Sequence, residues 1–288
     1  MARFYPNVRG VMENIHSIVF SLDYLKKIAH FTESFMAAAV IYDLTHGIAT
    51  LTLNRPDSKN SLSVELMDAL GDNLTKAISD PGARVIMLTN NGNTFCAGAN
   101  LKDPNSNEVS RYSLVEIFNL MQSSPKPIVG RVAGHCMGGG VGLAAACDIS
   151  IAADDVLIGF TEVRIGVAPA IISVVCLPKM RYSDAMELFL SGERIPSTRA
   201  AEIGLLNYAV PAAELDLKIN DLLDKLSRGG PIALDKCKQL VVKVPHMQRD
   251  EAFEWTSALI NGLFRSEEAA IGVKAFRERE DAPWVPQK

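Results

Sequence analysis

Three consecutive glycines, Gly138-Gly139-Gly140, constrain this chain more than any other feature. A bare triple glycine is most often a flexible linker set between polar stretches. Here apolar sequence frames it on both sides. Pro127 to Val132 (PIVGRV) reads as a strand, and Val141 to Cys147 is a run of small apolar residues that reads as a helix. A glycine turn leading into a helix presents unpaired backbone N–H groups at a helix N-terminus, where they favour negative charge on a ligand. The framing points to a fixed turn that grips a ligand oxygen.

The sequence around the run has a regular rhythm. From Ala38, two β-rich runs separated by Thr45-His46-Gly47 predict a hairpin. Leu62, Leu66, Leu70, Leu74 and Ile78 recur every four residues and predict a helix face, with Ser63 as its N-cap. Arg84 to Thr89 predicts a buried strand, Asn90 to Asn107 a loop rich in Asn and Gly, and Leu114 to Met121 an amphipathic stretch. Asp148 to Ala152 predicts a further strand. Two units, around Arg84 and around Pro127, suggest stacked β-β-α turns without enough similarity to be a repeat. From Pro178 the chain reads as helical: 184 to 190, 198 to 203, 214 to 226, 232 to 242, 251 to 264 and 267 to 279. The expected class is α/β, with a core over residues 36–200 and a helical region over 201–288. Residues 1–35 form either a dispensable extension or a short helical appendage around Ile15 to Ile28. They lack the long apolar run before a small-residue cleavage site that a signal peptide needs.

Composition narrows the function. At 288 residues the chain is near the upper size of one domain. A formal charge of −4 with scattered Lys and Arg gives no footprint for nucleic acid or an anionic membrane. Five cysteines (Cys96, Cys136, Cys147, Cys176, Cys237), widely spaced and never as C-x-x-C, argue against a disulfide framework and a zinc site. His16, His30, His46 and His246 have no partner at metal-ligand spacing, so no metal is expected. No uncharged apolar run is long enough to span a bilayer. These features predict a soluble protein of a reducing compartment, the cytoplasm.

Gripping a carbonyl as it becomes an enolate takes a second amide donor. Phe95-Cys96-Ala97-Gly98-Ala99-Asn100-Leu101 is the candidate, because Gly98 permits a turn that aims the amide of Ala99 outward. Alone the segment reads as an ordinary loop. Together with Asn54-Arg55-Pro56, the stretch from Gly134 to Asp148 and the stretch from Ile158 to Ala170, it resembles the enoyl-CoA hydratase/isomerase (crotonase) superfamily in order and close to it in spacing. The likeness runs from Ala38 to the C-terminus. It implies a crotonase-type spiral of ββα turns and a helical C-terminal region that builds a homotrimer or homohexamer. It also implies an acyl-CoA thioester as the partner, with coenzyme A part of the substrate and no separate cofactor. Ala99 and Gly139 fall on the positions whose amides bind the thioester oxygen. Ala97, Asn100 and Leu101 would line the coenzyme A pocket, Lys59 would lie near the nucleotide, and Arg279 on the last helix would meet the phosphates.

The hole is common to many chemistries, so the reaction must be read from side chains. By the same resemblance, one position that carries a glutamate in hydratases is Gly142 here, and the other is Glu162. From the residues alone, Glu162 reads as a surface residue paired with Arg164; the family register makes it the acid and base instead. Apolar neighbours would raise its pKa and let it accept and return a proton near neutral pH. Eight residues on, Ala170 replaces the aspartate of dehalogenase, dienoyl-CoA isomerase and hydroxyisobutyryl-CoA hydrolase relatives. The pattern looks like the methylglutaconyl-CoA hydratase-like branch. The expected reaction is addition of water to a 2-enoyl-CoA. The alternatives are a Δ3,Δ2-enoyl-CoA isomerase and an acyl-CoA-binding protein without catalysis. His135 and Cys136 read as packed side chains at a strand end.

Overall fold

The computed structural model describes residues 38–101 and 109–287; the extension over 1–35 and residues 102–108 of the Asn- and Gly-rich loop lie outside them. The hairpin forms as the sequence predicts. Strands β1 (Val40–Thr45) and β2 (Ile48–Leu53) pair antiparallel, Val40 opposite Leu53 and Thr45 opposite Ile48, across the two-residue His46-Gly47 turn. Helix α1 (Val64–Ser79) follows, its first turn capped by the Ser63 hydroxyl, which accepts the Leu66 N–H at 3.3 Å. Leu66, Leu70 and Leu74 are fully buried along one face, each contributing roughly 1.5–3 kcal/mol. Leu62 does not belong to that face. It lies before the helix, where its N–H donates to the Gly98 carbonyl at 2.8 Å.

The chain then alternates between two sheets. Strand β3 (Val85–Asn90) enters the first, β4 (Thr94–Cys96) the second, and helix α2 (Leu114–Ser123) returns with a reciprocal capping box between Ser113 and Glu116. Strands β5 (Ile128–Val132) and β6 (His135–Met137) with helix α3 (Gly139–Ala146) repeat the turn. Strands β7 (Ile149–Ala153) and β8 (Leu157–Gly159) repeat it again; a 3-10 turn (Thr161–Ile165) then leads into helix α4 (Ala170–Cys176). This is the ββα spiral, with one more turn than the two units read from the sequence. Helix α3 is apolar all round and buried from Gly140 to Ala145, as befits a helix enclosed on every side.

Beyond α4 come α5 (Tyr182–Ser191), β9 (Arg194–Pro196), α6 (Ser197–Glu202), β10 (Tyr208–Val210), α7 (Leu215–Ser227), α8 (Pro231–Lys243), α9 (Arg249–Phe264) and α10 (Glu267–Glu278). The six-stranded sheet runs β1-β2-β3-β5-β7-β10, parallel from β2 onward. The four-stranded sheet runs β4-β6-β8-β9, with only β9 antiparallel. The main sheet thus takes its last strand from beyond residue 200, and α7 packs Leu215, Ile219 and Leu223 into the core. Helices α8, α9 and α10 bury no residue, and Phe253, Phe264 and Phe276 stand 60%, 75% and 85% exposed. Among the described residues no helix is long and apolar enough to cross a membrane.

Candidate active site

The two glycine-bearing segments meet because β4 and β6 are parallel neighbours, Cys96 opposite Cys136. Each strand ends in a turn on the same side of the sheet. Gly98 has φ +83°, and an ideal Cβ there would lie 2.8 Å from the Met137 carbonyl oxygen and 3.0 Å from the Gly139 nitrogen. A side chain at 98 would therefore be strained and would also part the two turns. Gly138 is similar: φ is 52° and ψ −121°, and a Cβ would fall 3.0 Å from Glu162 Oε1.

Ala99 and Gly139 follow these two residues. Ala99 bridges in parallel with Leu62, whose N–H bonds Gly98 rather than Ala99, so the Ala99 amide faces away from Leu62. Gly139 is the first residue of α3, where helix N–H groups have no intrahelical acceptor. Among the described residues neither amide donates to a protein acceptor. Both residues line a cavity of about 310 Å³ with Leu62, Leu114, Ile165 and Ile172 among its walls.

Glu162 comes to this cavity from the 3-10 turn, with its carbonyl held by the N–H groups of Gly166 and Val167. Its Oε2 is buried without a hydrogen-bond partner. Burial pushes the carboxyl above its ordinary pKa, as the sequence predicts. The surface pairing with Arg164 does not form: Arg164 Nε donates to the Gly192 carbonyl at 2.9 Å. Apart from Thr161, Glu162 is the sole polar side chain lining the cavity among the described residues.

Gly142 is packed. An ideal Cβ would lie 2.5 Å from Ile172 Cγ2 and 2.8 Å from Phe118 Cζ, so the space a second carboxylate would need is filled with hydrocarbon. Ile171-Ile172-Ser173 is part of helix α4, and that helix closes on α3 at Gly142. Leu62 escaped sequence reading as a site residue because its four-residue spacing placed it on the face of α1.

The remaining expected positions divide. Ala97 and Leu101 line the cavity, and Asn100 directly follows Ala99. Lys59 is exposed and joined to the site through its carbonyl, which accepts the Ala97 N–H at 3.0 Å. Arg279 departs from expectation: it is not on the last helix but caps it, with φ 59°, and it is not among the residues that line the cavity. The left-handed turn ends the helix one residue early. His135 and Cys136 are packed as read; His135 Nδ1 accepts the Leu157 N–H at 2.9 Å and Cys136 is fully buried.

Comparison with known proteins gives the family and the fold. The family model "Enoyl-CoA hydratase/isomerase" matches residues 43–287. The (E)-benzylidenesuccinyl-CoA hydratase of Thauera aromatica is 30% identical, covering 83% of this chain and 96% of the relative. An enoyl-CoA hydratase of Mycobacterium tuberculosis is 29% identical, covering 80% of this chain and 90% of the relative. The crystal structure of an enoyl-CoA hydratase from Bacillus anthracis superposes with a TM-score of 0.79 at 27% identity, covering 86% of this chain and all of that one.

Proposed function

Because the chain belongs to the enoyl-CoA hydratase/isomerase family, we propose that it adds water reversibly to a 2-enoyl-CoA thioester, with Glu162 as its acid and base. The observation that carries this reading is the buried, unpartnered Glu162 Oε2 beside two undonated amides in an otherwise apolar cavity. In this reading the thioester oxygen accepts hydrogen bonds from Ala99 and Gly139, drawing electron density away from C3. The Glu162 carboxylate takes a proton from water as its oxygen bonds to C3, and electrons move onto the thioester oxygen. The same carboxyl returns the proton to C2 as the enolate collapses. Each backbone donor supplies about 2.7–4 kcal/mol of transition-state stabilisation, and acid–base transfer roughly a further 10²–10⁴-fold. Lys59, Ala97, Asn100 and Leu101 are assigned to coenzyme A binding.

The hydrocarbon behind Gly142 favours a second reading. With one carboxylate and no second anchor for water, Glu162 could shuttle a proton between C4 and C2 of a 3-enoyl-CoA. Incubation with each isomer separates the two. A 3-hydroxyacyl product from the 2-enoyl substrate supports hydration; turnover of the 3-enoyl substrate alone overturns it.

We also assign α8, α9 and α10 to contacts between copies. The support is that none of their residues is fully buried within the chain while Phe253, Phe264 and Phe276 stand exposed. A trimer or hexamer in sedimentation is expected; a monomer at micromolar concentration would contradict it.

A further inference from the structure

The cavity has an open end and a closed end. Leu101, Ile165, Val167 and Ile171 are all about half or more exposed and form its mouth. Of the large aliphatic side chains that line the cavity, Ile172 alone is buried, at 3% exposed, and so marks its inner end. Behind it there is no slack. Its Cγ2 is 2.5 Å from where a Gly142 Cβ would be, so it rests directly on the α3 backbone, and Phe118 Cζ lies alongside. A β-branched side chain in a helix keeps essentially one χ1 rotamer, so Ile172 cannot swing aside. The cavity of about 310 Å³ is at the small end of the range of about 300–1,000 Å³ for ligand sites. It must also hold the thioester group.

We propose that Ile172, seated on Gly142, sets the acyl-length limit and restricts the site to short 2-enoyl thioesters, on the order of four to six carbons. This rests on the thioester reading above. The absence of a side chain at 142 then has a positive role: it lets α4 approach α3 closely enough to close the acyl end of the cavity. A longer chain would have to displace Ile172 into the helix behind it or fold back toward the mouth.

The test is a length series of crotonyl-, 2-hexenoyl-, 2-octenoyl- and 2-decenoyl-CoA, read as kcat/KM for the native protein and for Ile172→Ala. Titration calorimetry with butyryl- and decanoyl-CoA gives the same comparison from binding alone. The native protein is expected to lose at least about ten-fold between the six- and ten-carbon substrates, since one methylene in an apolar site is worth roughly ten-fold or more. In Ile172→Ala the ratio of ten-carbon to four-carbon kcat/KM should rise at least about ten-fold. Ile172→Val, which removes one methyl group, should move the ratio the same way by less, and serves if the alanine variant does not fold. A native kcat/KM that is flat or rises with length overturns the proposal, as does a variant that lowers all four substrates in parallel. If no thioester is bound or turned over, the thioester reading itself fails and takes the length limit with it; binding without length discrimination defeats only the latter.

Discussion

Substituting Gly142 by alanine tests whether this position is closed by packing. The added methyl would sit 2.5 Å from Ile172 Cγ2 and 2.8 Å from Phe118 Cζ, both well inside normal contact. Overpacking of this kind costs about 1–3 kcal/mol, and replacing glycine inside a helix returns about 1 kcal/mol. The net expectation is a loss of about 0–2 kcal/mol. Removing Ile172 first removes the closer clash. In an Ile172→Ala background the same substitution should cost about 1–2 kcal/mol less, and this difference is the coupling energy of the pair. Urea unfolding of the native protein, both single variants and the double variant, at one protein concentration, measures it. Additivity within about 0.5 kcal/mol would refute the packing argument, as would a stabilising Gly142→Ala in the native background.

Three further outcomes follow from the site. At Gly140 a Cβ would run into the Cys96 carbonyl oxygen and fall 2.8 Å from the Cys96 carbonyl carbon, whereas at Gly139 it meets only the end of Leu62 at 2.6 Å. Gly140→Ala should therefore cost about 3 kcal/mol or more in thermal unfolding, and Gly139→Ala clearly less. Glu162 has a folded-state pKa above the ordinary 4.5, so its stabilising contribution is full below 4.5 and lost as pH rises through the raised value. Glu162→Gln should accordingly be more stable than the native protein near neutral pH, with the gap closing toward acid. The acid limb of native kcat/KM should lie above pH 4.5; a limb at or below it would count against Glu162 as the base.

Long elements with strong periodicity were legible before the structure. The hairpin across His46-Gly47 and the helix capped by Ser63 formed where their patterns place them. The second sheet was not legible, because β4, β6, β8 and β9 are three residues each and so short a strand carries no measurable alternation. Leu62 continued the four-residue spacing of α1 and was read into its face, although a hydrogen bond to Gly98 places it in the cavity wall. The glycines at 98 and 139 were visible as motifs, but their close approach depends on strand pairing 40 residues apart in sequence. Gly142 could be read only as a missing carboxylate. That Ile172 and Phe118 fill its place depends on how α4 and α2 pack on α3, which no spacing within the chain shows.

The central claim is that the Ala99 and Gly139 amides grip the thioester oxygen while Glu162 moves the proton. Isotope-edited infrared difference spectroscopy of a 2-enoyl-CoA, labelled with ¹³C at the thioester carbonyl and bound to Glu162→Gln, tests it directly. The account predicts a carbonyl stretch shifted below its frequency in water, because the amides remain, together with turnover reduced by roughly 10²–10⁴-fold. An unshifted carbonyl, or turnover close to that of the native protein, would contradict it.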